Sequence, residues 1–230
     1  GDSMQVYQEV EVGTAKATKE EQAEVKHYLV DTRSVFDEYS VKDFVGEATK
    51  AITDISEKGK FPILAGGTGF YVNALLNKMQ LGEKKDEDSG TSQKWEVYLK
   101  QNGPQKLWDI LNEKDPEAAK KIPVPNSRRT MRALTVIDRT GEKFSQQQKK
   151  IEPRYDYLII GLNSDRQEIY RRINLRVDRM MQKGMLEEAK FIYQNRDKEH
   201  QVLQAIAYKE FFPYFEGKKA LDECVEQLRS

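Results

Sequence analysis

Between Phe61 and Leu76 the chain passes from a short apolar run, Phe61-Pro62-Ile63-Leu64-Ala65, through Gly66-Gly67-Thr68-Gly69, into a helical pattern that ends at Leu76. A continuous apolar run of this length reads as a strand covered on both faces, and the turn after it brings backbone N–H groups to the strand's C-terminal end. An amphipathic segment precedes it, with Ser40 as cap, Val41, Phe44, Val45, Ala48, Ile52 and Ile55 on one face, and Gly59 as stop. Helix, strand, glycine turn and helix in that order predict an α/β core with a parallel sheet. The turn by itself has two readings, a ligand-binding edge or a tight turn that needs positive φ. It is not a Walker A loop, because no Gly-Lys-Ser/Thr follows.

From Met79 to Lys150 the sequence turns charged and helix-forming, with segments Trp95 to Gln101, Pro104 to Asn112, Pro116 to Lys121 and Asn126 to Thr140 and no strand candidate. This predicts an all-helical insertion at 79–150 between the two halves of the core, 1–78 and 151–230. Tyr155 to Leu162 reads as a second buried strand. Ser164 and Asp165 then cap a long helix with apolar Ile169, Ile173, Val177, Met180 and Met181, which Gly184 ends.

A chain of 230 residues, 38% hydrophobic and 33% charged, has the makeup of a globular protein. Its longest apolar runs are too short for a membrane span and no signal segment opens it, so a cytoplasmic location is expected. Cys224 is the single cysteine, and with His27 and His200 as the two histidines there is neither a disulfide nor a Cys/His zinc cluster. Lys plus Arg (38) equals Asp plus Glu (38), so any contact with nucleic acid has to be local.

Two local features stand out. Arg128, Arg129 and Arg132 share a helix in a stretch, Asn126 to Arg154, with eight basic and three acidic residues, Lys149 and Lys150 among the basic ones. Such a patch suits a phosphate backbone, and equally a solvated charged face. On the later helix Arg172, Arg176 and Arg179 recur, and a helical wheel puts Arg176 at the edge of the Ile169-Ile173-Met180 stripe. A guanidinium placed there needs an anion, either an internal carboxylate or a diphosphate. Asp2, read from the residues alone, is a surface aspartate.

Taken together, several ordered motifs add a resemblance. Gly1-Asp2-Ser3-Met4-Gln5-Val6-Tyr7, Gly13-Thr14-Ala15-Lys16, His27-Tyr28-Leu29-Val30-Asp31, Tyr39-Ser40-Val41-Lys42-Asp43-Phe44 and Gly66-Gly67-Thr68-Gly69-Phe70-Tyr71 resemble the tRNA dimethylallyltransferase family in order and spacing. So do Arg128-Arg129-Thr130-Met131-Arg132-Ala133-Leu134, the run Arg172 to Met181, and Gln204-Ala205-Ile206-Ala207-Tyr208-Lys209-Glu210, where Ala207 stands at a position usually occupied by glycine. The resemblance covers nearly the whole chain.

It implies a P-loop-type parallel sheet core flanked by helices, with a helical insertion that grips the anticodon arm. The implied reaction moves a dimethylallyl group from dimethylallyl diphosphate to N6 of adenine 37, beside the anticodon of a tRNA. Asp2 is implied as the base that takes the amine proton, Arg176 is the candidate clamp on the departing diphosphate, and Thr68 completes the catalytic set. Ser3, Met4 and Gln5 would line the entry of a flipped adenine, together with Asp2 and Thr68. Arg128, Arg129, Thr130, Met131, Arg132 and Lys209 would contact the tRNA. The family's nucleotide-binding P-loop, of the ATP-binding type, precedes the Gly-Asp-Ser-Met-Gln motif. The chain begins at Gly1 without it and stops within helical sequence, so it reads as a piece of a longer protein, with the Mg²⁺ ligand expected in the absent loop. A monomer without membrane association is expected. The rival readings are an adenylate isopentenyltransferase acting on a free nucleotide, a P-loop kinase, and an RNA-binding fragment without activity.

Overall fold

A computed structural model describes residues 1–79, 89–147, 152–198 and 201–229. His200, Lys149 and Lys150 lie outside them. The chain divides into two compact units, Gly1–Asn77 with Arg154–Ser230, and Lys78–Pro153.

The first unit carries helices α1 (Lys19–Glu24), α2 (Val41–Glu57) and α3 (Gly69–Leu76) in its N-terminal part. Helix α2 starts where Ser40 and Asp43 form a reciprocal capping box, and it buries Phe44, Val45 and Ala48. Phe44 stacks on Tyr71 of α3, ring centroids 4.9 Å apart, which fixes the α2–α3 pair.

The predicted parallel sheet is not formed among the described residues, where β-pairing is confined to isolated bridges such as the parallel one between Tyr7 and Arg33. Residues 61–65 and 157–162 carry no strand pairing, and Phe61, Ile63, Leu158 and Leu162 are 85–97% exposed. The apolar content that suggests a strand is present, but a strand also needs a hydrogen-bonding neighbour along its edge, and none of the described residues supplies one.

The C-terminal part holds α7 (Arg166–Gln182) and α8 (Met185–Gln194), separated by Gly184 at φ 98°. After two 3₁₀ turns come the short α9 (Phe212–Phe215) and α10 (Leu221–Arg229). Only the second half of α7 is covered. Val177 and Met180 are buried, whereas Ile169 and Ile173 are exposed, so the predicted buried stripe stops short of the helix's first two turns. Its partners are α8 and α10, and neither gives the first half of α7 an apolar face to pack against.

In the second unit α4 (Ser89–Lys114) packs on α5 (Pro116–Lys121) and α6 (Ser127–Thr140). Helix α4 is two helical stretches joined at Gly103, whose φ of 79° breaks the spiral immediately before Pro104. The core comprises Trp95, Leu107, Leu111, Ala118, Ala119, Ile122, Ala133 and Leu134. Trp95 and Trp108 keep their indole N–H groups satisfied at Asp138 (3.1 Å) and the Ile122 carbonyl (2.7 Å). Asp115 is fully buried at the α4–α5 junction, where it caps α5 by accepting from Ala118 N (3.1 Å) and anchors the segment after α6 by accepting from Ser145 N and Oγ (2.7 Å each).

Burial pushes the Asp115 carboxyl up, but the Ser145 and Ala118 donors outweigh it and hold the carboxyl below the ordinary range. A depressed native value stabilises the fold above the unfolded value of about 3.9, and that stabilisation fades as pH falls through the native value. Asp115→Ala is expected to cost this unit about 2 kcal/mol at neutral pH in urea melts, from lost capping and orphaned donors. Asp115→Asn should flatten the loss of stability beneath about pH 4. An unchanged acid limb would remove Asp115 as its source.

Candidate active site

The start of the first unit is built against the glycine turn. Gly66 has φ +147°, and a Cβ on it would lie 2.3 Å from the carbonyl carbon of Gly1, so only glycine lets the two backbones approach. Thr68 fastens the contact. Its N–H donates to Gly1 O (3.2 Å), its hydroxyl accepts from Ser3 N (3.0 Å), and the same hydroxyl donates to Ser3 Oγ (3.3 Å). A Cβ at Gly67 or Gly69 would meet nothing within 4 Å, so the far side of the turn is open. Of the two readings of this turn, the positive φ of a tight turn is met at Gly66.

Held between these contacts, Asp2 folds back on its own chain. Its Oδ1 accepts from Met4 N (2.8 Å) and Gln5 N (3.3 Å), a turn that aspartate favours, and its Oδ2 has no hydrogen-bond partner among the described residues. The residue is half-buried. Gln5 is fixed at three points: its N–H at Asp2, its carbonyl accepting from Asp31 N (3.2 Å), and its Nε2 donating to Thr14 O (3.2 Å). The next residues join the Tyr7–Arg33 bridge, with Val6 O accepting from Thr32 N and Arg33 N and Gln8 N donating to Arg33 O.

Gly13-Thr14-Ala15-Lys16 forms a second loop beside this turn. Lys16, its side chain 3% exposed, donates to Tyr7 O (2.7 Å) and pairs with Asp31, so its buried charge is met by a carboxylate and a carbonyl. Glu188 holds the loop from below. Its carboxylate accepts from the backbone N–H groups of Glu11 (2.7 Å), Val12 (2.9 Å) and Gly13 (2.9 Å), and from the Tyr208 hydroxyl (2.7 Å). Burial, and then the Glu188 charge, push the Tyr208 phenol well above the ordinary tyrosine range, so it remains a donor. Neither Glu188 nor Tyr208 was marked as a site residue by sequence reasoning. The available signal was Gly13, whose Cβ would lie 2.5 Å from the Tyr208 oxygen.

The remaining predicted residues fall in several places. Arg176 is exposed although it lies in the covered half of α7, next to the buried Val177, which removes the argument that burial forces an anion onto it. Lys209 is exposed, next in sequence to the buried Tyr208. In the second unit Asn126 caps α6 by accepting from Arg129 N (3.2 Å) and Gly141 ends it at φ 71°, so Arg128, Arg129 and Arg132 are displayed on a well-defined helix, all three exposed. Thr130 is a correction: it is fully buried, its hydroxyl donates to Asn126 O (3.2 Å), and it has no surface with which to touch a nucleic acid. Met131 is half-buried and packs on the helical core. No group of three or more His, Cys, Asp or Glu among the described residues is arranged to hold a metal ion, and no helix among them is long and apolar enough to cross a membrane.

Comparison with known proteins bears on the same residues. A family model described as IPP transferase matches residues 5–230. The tRNA dimethylallyltransferase of Lactobacillus helveticus (strain DPC 4571) is 93% identical over 230 residues, covering all of this chain and 75% of that protein. The protein of the same name from Lactobacillus acidophilus is 84% identical with the same coverage. Among solved structures, the full-length tRNA isopentenylpyrophosphate transferase of Bacillus halodurans matches with a TM-score of 0.67 and 40% identity, over all of this chain and 72% of that one. A eukaryotic dimethylallyltransferase acting on tRNA matches with a TM-score of 0.80 and 31% identity, over all of this chain and 58% of that one. With a family model spanning nearly every residue and relatives this close over the full length of the chain, the protein belongs to the IPP transferase family.

Proposed function

We propose that the chain carries the acceptor side of a tRNA dimethylallyltransferase, transferring a dimethylallyl group from dimethylallyl diphosphate to N6 of the adenine beside the anticodon. The observation that carries this reading is the Asp2 turn: one carboxylate oxygen is tied to the backbone and the other is unengaged among the described residues, beside a glycine strip with open space around it, in a chain 93% identical to a tRNA dimethylallyltransferase.

The chemistry follows from the acceptor. The N6 lone pair of adenine is delocalised into the ring, and the amine becomes acidic only as its bond to the allylic carbon forms and the carbon–oxygen bond to diphosphate breaks. A carboxylate suffices as proton acceptor at that stage, and Oδ2 of Asp2 takes the proton while Oδ1 keeps the side chain in place. In this reading Thr68 acts through Ser3 and Gly1, holding the Asp2 turn, since its hydroxyl is already bonded there. Ser3, Met4 and Gln5 line the acceptor side, and Arg176, exposed and planar, is offered to the departing diphosphate. Magnesium, implied by the resemblance, finds no fitting set of ligands among the described residues, and no step here passes through it.

A tRNA rather than a free nucleotide is favoured as acceptor by the second unit, where Arg128, Arg129 and Arg132 stand together on one capped helix. A mononucleotide has no use for three guanidinium groups on a separate helical unit, whereas an anticodon arm offers phosphates to each.

In the intact enzyme, Asp2→Asn is expected to lower kcat by roughly 10²- to 10⁴-fold while leaving the Kd for tRNA, read by filter binding, nearly unchanged. Loss of both in equal measure would remove the base assignment. Arg128→Ala with Arg132→Ala should weaken tRNA binding at every ionic strength and reduce the slope of log K against log salt by about one for each phosphate no longer neutralised. If AMP competes with tRNA as well before as after these changes, the free-nucleotide reading gains.

A further inference from the structure

Three consecutive backbone N–H groups curled around an anion form a nest, and here the anion is the chain's own Glu188. Tyr208 supplies a fourth donor from the opposite side, with Gly13 pressed beneath its hydroxyl. The loop above is closed by its own bonds as well: Thr14 Oγ1 to Val10 O (2.8 Å), Ala15 N to Val12 O (3.0 Å) and Lys16 N to Glu11 O (3.2 Å). Its bond toward the Asp2 turn is made by the Thr14 carbonyl, which accepts from Gln5 Nε2. A carbonyl accepts only from the NH₂ end of an amide, so this contact decides which way round Gln5 sits and leaves Oε1 as the end presented elsewhere.

We infer that Glu188, together with Tyr208, is a positioning residue for the acceptor base: by fixing the Glu11–Thr14 loop it sets the Thr14 carbonyl, and through it the orientation of the Gln5 amide. The inference rests on the reading of Gln5 at the adenine edge. An exocyclic amine carries two N–H bonds, and the Asp2 carboxylate with the Gln5 amide oxygen offers two acceptors close together in the sequence. A base with a carbonyl in place of the amine would face two oxygens and be rejected. With the latch gone, the Thr14 carbonyl is held by the loop's own bonds alone, the Gln5 amide is fixed less firmly, and its NH₂ end competes for the position of its oxygen. Glu188 touches no substrate in this account and acts entirely through the loop.

The test is a double-mutant cycle in the intact enzyme, reading kcat/KM for tRNA, with KM for dimethylallyl diphosphate as control. Gln5→Ala and Glu188→Ala are each expected to lower kcat/KM for tRNA about tenfold, the scale of one well-placed hydrogen bond, and the double variant should fall no further than the weaker single one. KM for the diphosphate should stay within about twofold, since the latch acts through Gln5 on the acceptor side. Because Glu188→Ala leaves three backbone N–H groups without their partner and could fail to fold, Tyr208→Phe, which deletes one oxygen, provides the second arm and should likewise add nothing to Gln5→Ala. Multiplicative losses in the double variants, or folded Glu188 and Tyr208 variants with unchanged kcat/KM, overturn the latch while leaving the Gln5 reading intact. If Gln5→Ala alone has no effect, the Gln5 reading fails and the latch fails with it.

Discussion

The backbone of Gly66 lies so close to Gly1 that a single methyl group would have no room, and the placement of the carboxylate depends on that approach. Thr68 reaches Gly1 O and the N and Oγ atoms of Ser3 only because the turn before it has φ +147°. Asp2 is thereby pinned between two anchored neighbours and folds its Oδ1 onto Met4 and Gln5. A turn made by one aspartate and three hydrogen bonds to a threonine is a small structure, and it holds because the glycine lets it seat without strain.

The two units are stabilised in different ways. The Lys78–Pro153 unit is a helical core in which two tryptophans, leucines and alanines exclude water, with Asp115 and Asp138 satisfying the donors that the core would otherwise bury unpaired. The N-terminal loops of the other unit hold together through side chains gripping backbone: Glu188 on Glu11, Val12 and Gly13, Lys16 on Tyr7, and Glu9 on Ser34 Oγ and Val35 N. Hydrogen bonds are directional where apolar burial is not, so a loop built this way fixes orientation, which is what a site that must align an amine requires.

Local signals carried the helices. Ser40 with Asp43, Asn126 with Gly141, Gly184, and the Gly103-Pro104 break are all features that a helix end or kink writes into a few adjacent residues. The strands expected at 61–65 and 157–162 depended instead on a partner distant in sequence, and an apolar run states only that a partner is wanted. Arg176 departs from expectation for a related reason: a helical wheel assumes that the whole apolar stripe is covered, whereas Ile169 and Ile173 are exposed and the cover over Val177 and Met180 does not extend to Arg176. The motif residues Asp2, Thr68 and Gln5 stood out through resemblance, yet the bonds that tie Thr68 to Gly1 and Ser3 on either side of Asp2 did not, because they join residues 65 or more positions apart. Glu188 was invisible for the plainest reason, since a glutamate in the first turn of a helix usually faces water and favours the helix dipole.

The central claim is that close backbone contact, more than any side chain, places the carboxylate. It is tested most directly by single-turnover transfer from dimethylallyl diphosphate to tRNA in the intact enzyme carrying Gly66→Ala, with tRNA affinity measured alongside. A methyl group at that position forces Gly1 and Asp2 away, so the transfer rate should fall by at least the order of 10²-fold expected for losing the base, with tRNA still bound through the arginine helix. A Gly66→Ala enzyme that transfers at the unaltered rate would contradict the account.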